Sequence, residues 1–162
     1  MRWVADTGPL LHFAEAQALD LLKLLGDVVL PPAVADEFAR LHSNLTLPSW
    51  LKIVPLVEAD HRQAEDWHLS GLIDRGEAHA IALVRHLRAD VLLTDYATAR
   101  LFANSMGVQA RGSLGVVLWL AGQRLIDAPT ASTSLDRLAG TTLWLSPRIL
   151  AEARAALHRL AE

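Results

Sequence analysis

Apolar runs along this chain of 162 residues alternate with stretches that have helical spacing. Unbroken apolar runs at 3–5, 28–30 and 91–93 are typical of short strands that are covered on both faces. Residues 51–54 alternate as an edge strand does, and residues 108–110 follow a helix-ending glycine as a last short strand. Strands that alternate with helices predict a single α/β domain with a mainly parallel sheet.

The helices are predicted from apolar residues spaced three or four apart. The first begins near Pro9, runs to Leu25 and has a break near Ala16. Further helices are expected at 33–41, 58–69, 76–84 and 112–124, and one more between Asp95 and Gly107. Residues 127–162 read as two helices joined at 143–147, an extra C-terminal extension packed on the domain. No linker or repeat divides the chain, so we expect one domain over residues 1–162.

Composition narrows the classes of function. With 52% hydrophobic and 20% charged residues, the chain suits one domain with a sizeable core. Its net charge of −3 provides no global attraction for nucleic acid, although local patches and metal ions can provide it instead. The absence of cysteine excludes disulfides, thiolate zinc sites and thiol catalysis.

The location expected from the sequence is the cytoplasm. The first residues reach Asp6 before the apolar region of a signal peptide could form. The longest apolar run, near 114–122, is far shorter than the roughly 20 residues of a membrane helix. We therefore expect no association with a membrane.

Four acidic residues occupy related places in the predicted topology. Asp6 and Asp95 each follow an apolar strand directly, while Glu37 and Glu77 fall in the first turns of helices. In parallel α/β sheets, strands end and helices begin at the same edge, where ligands bind. The four carboxylates are therefore predicted to meet in one crevice.

Converging carboxylates repel one another unless they are protonated or bridged by a cation. Mg²⁺ and Mn²⁺ prefer oxygen ligands and retain waters that can face a substrate phosphate. Such a site can activate water for phosphodiester cleavage.

Each acid also has a purely structural interpretation. Asp6 and Asp95 could cap the helices that follow them, and Glu37 and Glu77 could complement helix dipoles. No single acid decides between the two interpretations. Their shared position in the topology favours the metal site.

Three further residues are candidates for substrate binding. Thr7 could bond to Asp6 or to a water on the metal, or make only a local turn bond. Arg100 could meet a phosphate or pair with an acid. Ser113 begins a helix, where free N–H groups attract anions, although a plain cap is the simpler role. The seven histidines form no His-Glu-x-x-His motif, and we interpret them as surface or packing residues.

The order of these motifs resembles the PIN domain family, which contains metal-dependent ribonucleases and the toxins of VapBC toxin–antitoxin pairs. The similarity is strongest to a PIN-like prokaryotic subgroup. It is carried by Asp6-Thr7, Val34 to Glu37, Gly76-Glu77, Leu93-Thr94-Asp95, Ala99-Arg100 and Val108 to Gly115.

The resemblance implies a three-layer α/β/α fold and an endoribonuclease that uses Mg²⁺ or Mn²⁺. Its catalytic and metal-site acids would be Asp6, Glu37, Glu77 and Asp95, and its substrate would be RNA. The resemblance also implies a homodimer. A cognate antitoxin is a further expected partner if the protein is the toxin of a type II pair.

A second hypothesis is a catalytically weak or inactive PIN fold that binds RNA or protein. It is motivated by residues 96–99, which contain no further acid where many PIN domains have one. An aspartyl phosphatase is disfavoured because Thr7-Gly8 follows Asp6 instead of x-Asp. A receiver domain is disfavoured because the two lysines, Lys23 and Lys52, do not follow a late strand.

Overall fold

Five short parallel strands form one sheet within residues 1–161, the part of the chain that the computed structural model describes. They are β1 (Arg2–Ala5), β2 (Asp27–Leu30), β3 (Lys52–Ile53), β4 (Val91–Leu93) and β5 (Ala110–Arg111). The spatial order is β3-β2-β1-β4-β5, and every neighbouring pair is parallel. The predicted parallel sheet is therefore confirmed.

The last strand lies slightly later than the predicted 108–110. The Val108 N–H donates to the Ala103 carbonyl at 2.9 Å, so residue 108 still closes the preceding helix. Pairing with β4 then begins at Ala110, which lies opposite Leu92.

Eight α-helices within residues 1–161 flank the sheet and complete the predicted three-layer α/β/α arrangement. They are α1 (Thr7–Glu15), α2 (Pro32–Leu41), α3 (Glu58–Leu69), α4 (Arg75–Leu87), α5 (Ala97–Ser105), α6 (Ser113–Gly122), α7 (Ala128–Ala139) and α8 (Pro147–Ala161). Helices α2, α3 and α4 pack together, and α6, α7 and α8 form a second group that α1 joins.

The first predicted helix is wrong in its start and its length. It begins at Thr7 because the Asp6 side chain caps it, and the predicted break near Ala16 ends it. Residues Leu19–Leu25 form a separate 3-10 helix. Gln17, at φ 54°, reverses the chain between the two helices.

The central strands are fully enclosed. Trp3, Val4 and Ala5 of β1 are buried, as is all of β4. The Trp3 ring meets the Trp119 ring edge-on at 5.1 Å and so fastens β1 to α6. Burial on both faces holds the carboxyl ends of β1 and β4 firmly in place.

Strand order creates a crevice between β1 and β4. The chain passes from β1 to β2 and β3 on one side, then crosses to β4 and β5 on the other. Such a reversal parts the helices that follow the two central strands, and ligands of open α/β sheets bind there. Within residues 1–161, no helix is both long and apolar enough to span a lipid bilayer.

The C-terminal helices should unfold together with the sheet. Leu135 of α7 is fully buried, and α7 packs against both α6 and α8. Leu135→Ala should lower the free energy of unfolding by about 2–5 kcal/mol. Urea unfolding followed by both tryptophan fluorescence and far-UV circular dichroism should show one coincident transition.

Leu160→Ala provides the matched control, because this leucine of α8 is 52% exposed. Its effect should be well below that of Leu135→Ala. Loss of part of the helical signal before the fluorescence transition would contradict a single cooperative unit.

Candidate metal centre

Asp6 lies at the end of β1, inside the crevice. Its backbone N–H donates to the Leu93 carbonyl at 2.9 Å, which extends the β1–β4 pairing by one step. This register places Thr94 beside Asp6, and the Thr94 hydroxyl donates to Asp6 Oδ2 at 3.0 Å. The other oxygen, Oδ1, accepts from the Thr7 N–H at 2.7 Å. Asp6 is thus both a helix cap and a buried carboxyl, only 1% exposed.

Glu37 reaches the same place from α2. The Thr7 hydroxyl donates to Glu37 Oε2 at 2.9 Å. The carboxylate lies against the backbone of Gly76, where a Cβ atom would come within 2.2 Å of Glu37 Oε2. Glycine at this position of α4 therefore leaves room for the Glu37 carboxylate of α2 to lie against the α4 backbone.

The expected helix-dipole role of Glu37 is wrong. Because α2 begins at Pro32, Glu37 falls in the second turn and the first turn carries no acid. Favourable interaction with the dipole is confined to the first turn. The observed contact that holds Glu37 is the hydroxyl of Thr7.

Glu77 serves both as a cap and as a buried acid. Helix α4 begins at Arg75 with Asp74 as its N-cap, one residue before the predicted start at Gly76. Glu77 Oε2 accepts from the Asp74 N–H at 3.0 Å, and together they form a capping box. Glu77 is nevertheless only 6% exposed, so it faces the crevice rather than open solvent.

The electrostatics of these acids are mutually unfavourable. Burial, followed by the negative charges of Glu77 and Glu37, raises the pKa of Asp6 from its ordinary 3.8 to about 8. Burial, Asp74 and Glu37 likewise raise the pKa of Glu77. Without a cation, the site therefore retains a proton at neutral pH. A divalent cation would displace that proton and offset the repulsion.

Asp95 faces a different set of partners. Its Oδ1 accepts from the Ser113 N–H at 2.6 Å, and its Oδ2 accepts from the Ser113 hydroxyl at 2.6 Å. His12 Nδ1 lies 2.7 Å from the same Oδ2. Successive side chains of extended backbone point to opposite sides, so Asp95 turns away from its neighbour Thr94. The expected cap of α5 is wrong, because Tyr96 occupies that N-cap position.

The four acids surround the crevice without converging on one point. Within residues 1–161, the one group of three or more candidate ligands whose atoms lie within 4.8 Å of one another consists of His61, Glu65 and His79. The charges of all four acids nonetheless act on Tyr96. Burial raises the pKa of its phenol, and so do the charges of Asp6, Glu37, Glu77 and Asp95.

The predicted substrate-binding residues support the acids. Thr7 holds Glu37, as described above. The Arg100 guanidinium donates to the Asp95 carbonyl at 3.0 Å and to the Thr94 carbonyl at 3.4 Å, and it pairs with no acid among residues 1–161. Ser113 is completely buried, and its N–H and hydroxyl both donate to Asp95. Its expected role as a plain cap is wrong, because Gly112 occupies the N-cap position of α6.

The sequence analysis assigned no role to three residues of the site. Thr94 and Tyr96 flank Asp95 directly. Their positions beside a candidate acid could have indicated that they belong to the site. His12, only 5% exposed, lies on α1 and gave no signal, because its contact with Asp95 joins residues 83 positions apart.

Comparison with known families produced one match. A family model described as a PIN domain matches residues 2–159, which is nearly the whole chain. No curated protein and no solved structure matches the chain.

Asp6→Asn should remove a pH-dependent loss of stability while preserving the cap, since asparagine caps helices equally well. The pKa of Asp6 is about 8 in the folded protein and near 3.8 when unfolded, so the folded state holds one more proton between these values. The free energy of unfolding should therefore fall by up to about 1.4 kcal/mol per pH unit as the pH rises from 4 toward 8. Asp6→Asn should lack this contribution and be the more stable protein at pH 8.

Urea unfolding in the presence of EDTA, between pH 5 and pH 8, measures the two slopes. Asp36→Asn, at an exposed acid of α2, is the control and should keep the slope of the native protein. Identical slopes for the native protein and Asp6→Asn would refute a proton held on Asp6.

Gly76→Ala should weaken metal binding without lowering the stability of the fold. The added Cβ meets the flexible end of Glu37 rather than backbone, so Glu37 can swing away at little cost. Alanine also favours helix α4 more than glycine does. We expect an unchanged or higher thermal midpoint but at least about tenfold weaker Mn²⁺ binding, measured by calorimetry. Native affinity in Gly76→Ala would mean that Glu37 is not a ligand.

Proposed function

The chain belongs to the PIN domain family, and from this premise we propose that it is a metal-dependent endoribonuclease that hydrolyses RNA phosphodiester bonds. PIN domains are generally nucleases that use divalent metal ions. The observation that carries the proposal is the buried Asp6 carboxyl, whose pKa is raised to about 8 by burial and by the charges of Glu77 and Glu37. Perturbed acids in a crevice at a sheet's switch point are typical of functional sites.

The donor set suits Mg²⁺ or Mn²⁺. Asp6, Glu37 and Glu77 offer only oxygen atoms, and their repulsion favours a hard divalent cation. Asp95 would complete the set across the crevice. When bound, the ion would activate the attacking water and stabilise the leaving oxygen.

The protein's own contribution is to hold these acids in place. The hydroxyls of Thr7 and Thr94 orient Glu37 and Asp6, and Ser113 with His12 orients Asp95. These hydrogen bonds restrict each carboxylate to few orientations. Preorganised ligands of this kind avoid reorganisation during the reaction.

Cationic groups beside the acids support an anionic substrate. Arg40 and Arg75 line a cleft together with Glu37 and Gly76, and the acids Asp36 and Asp74 line it as well. The overall charge of −3 gives no long-range attraction, so local groups such as these would position the RNA backbone.

A second cleft lies beside Asp95 and has room for a base. It encloses about 590 Å³ and is lined by Arg100, Leu143, Trp144 and Ile149 among others. Trp144 is 82% exposed on its rim. Exposed aromatic rings in clefts that also contain basic side chains are a common arrangement for stacking single-stranded nucleic acid.

The expected biological setting is part of the proposal. We propose that the protein acts in the cytoplasm as a homodimer and that, if it is the toxin of a type II pair, a small cognate antitoxin blocks the crevice. Light scattering of the purified protein tests the dimer.

Substitution of two adjacent acids on α2 tests the enzyme. Glu37→Gln removes a proposed ligand, whereas Asp36→Asn changes an exposed neighbour. Mn²⁺ affinity, measured by calorimetry, should fall at least about tenfold in Glu37→Gln and remain native in Asp36→Asn. Cleavage of unstructured RNA should fall by about two orders of magnitude or more in Glu37→Gln alone.

The outcomes separate the two hypotheses about function. Native protein that fails to bind Mn²⁺ would remove the metal centre and with it the proposed reaction. Mn²⁺ binding and RNA binding without cleavage would favour the alternative, a PIN fold that binds RNA or protein without catalysis.

A further inference from the structure

Helices α3 and α4 carry a second group of metal-ligating side chains, outside the acidic crevice. His61 and Glu65 are four residues apart on α3, so they share one face of that helix. His79 of α4 meets them, with its Nε2 2.7 Å from Glu65 Oε1. We call these three residues, His61, Glu65 and His79, the histidine cluster.

The geometry of the histidine cluster is close to that of a metal site. One ligand atom from each residue lies within 4.8 Å of the other two. The rings of His61 and His79 meet edge-on, with centroids 5.0 Å apart. Ligand atoms about 2.0–2.2 Å from a tetrahedral ion are roughly 3.3 Å apart, so modest side-chain rotation would close the set.

Burial and charge prepare these residues for a cation. His79 is 3% exposed, and its ring is fixed by the packing of α4, whereas His61 is exposed and leaves a route from solvent. The hydrogen bonds with Arg75 and His79 lower the pKa of Glu65 to about 2, which favours the ionised form that binds a cation.

We propose that the histidine cluster is a binding site for a divalent transition metal of the zinc class, with two imidazoles and one carboxylate as ligands. Imidazole suits Zn²⁺, Co²⁺ and Ni²⁺, whereas Mg²⁺ and Mn²⁺ prefer all-oxygen sites such as the acidic crevice. Three protein ligands leave the fourth position to water.

The site would link metal binding to the crevice through Arg75. The Arg75 guanidinium donates to the same Glu65 oxygen at 2.7 Å. A bound ion would compete with this bond and release Arg75, which also lines the cleft beside Glu37. The ion would in addition fasten α3 to α4 two residues beyond Glu77.

Titration with Co²⁺ tests the proposal, because a four-coordinate Co²⁺ ion absorbs visible light and Zn²⁺ displaces it. The native protein should bind one such Co²⁺ ion. His61→Ala and Glu65→Gln should each weaken this binding at least about tenfold, and Arg75→Gln should strengthen it. His61 is exposed, so its replacement leaves the core intact.

His86→Ala is the matched control. His86 lies on α4 and pairs with Asp60 of α3 at 2.8 Å, a second histidine–carboxylate contact between the same helices. Its replacement should leave the Co²⁺ affinity within about twofold of native, as expected for a residue that is not a ligand.

Asp6→Asn separates this proposal from the nuclease proposal. It should keep the Co²⁺ absorption, and His61→Ala should keep the Mn²⁺ affinity of the crevice. Native Co²⁺ affinity in His61→Ala would overturn the site. Loss of the Co²⁺ absorption in Asp6→Asn would also overturn it, because the ion would then belong to the acids.

Discussion

The structure depends on burying a carboxyl group at the end of its most enclosed strand. Asp6 follows Trp3, Val4 and Ala5, all completely buried, and cannot move toward solvent without disturbing the core. Burial and nearby charges raise its pKa to about 8, which opposes folding at neutral pH. Such a local loss of stability is common at functional sites, where ligand binding can offset it. The enclosed core thus carries a carboxyl group whose burial is unfavourable.

The crevice divides its acids into two environments. The negative charges of Glu77 and Glu37 raise the pKa of Asp6, whereas Asp95 accepts two hydrogen bonds from Ser113 and lies beside His12. A bound cation would therefore relieve more repulsion at Asp6, Glu37 and Glu77 than at Asp95. In the absence of an ion, Asp95 is held by the protein itself. An ion that drew all four carboxylates together would have to compete with the Ser113 contacts.

Helix α4 contributes residues to both the acidic crevice and the histidine cluster. Its residues 76–84 are buried in an unbroken run, so it packs against β1, β4 and α3 at once. Its first turn brings Gly76 and Glu77 to the crevice, and His79, two residues beyond Glu77, belongs to the histidine cluster. A change in how α3 packs against α4 would therefore reach the acids through a rigid element instead of a flexible loop.

Local patterns determined the fold class and the approximate positions of the first four strands, and they singled out the four candidate acids, because strand and helix periodicity and the ends of strands are properties of neighbouring residues. The 3-10 helix at Leu19–Leu25 was missed, since its spacing is nearly that of an α-helix. Only the tertiary structure decided that Asp95 faces His12 and Ser113, and that His79 joins two residues of α3. These contacts link residues 14 to 83 positions apart, and their geometry follows from how the helices pack, which no local pattern encodes.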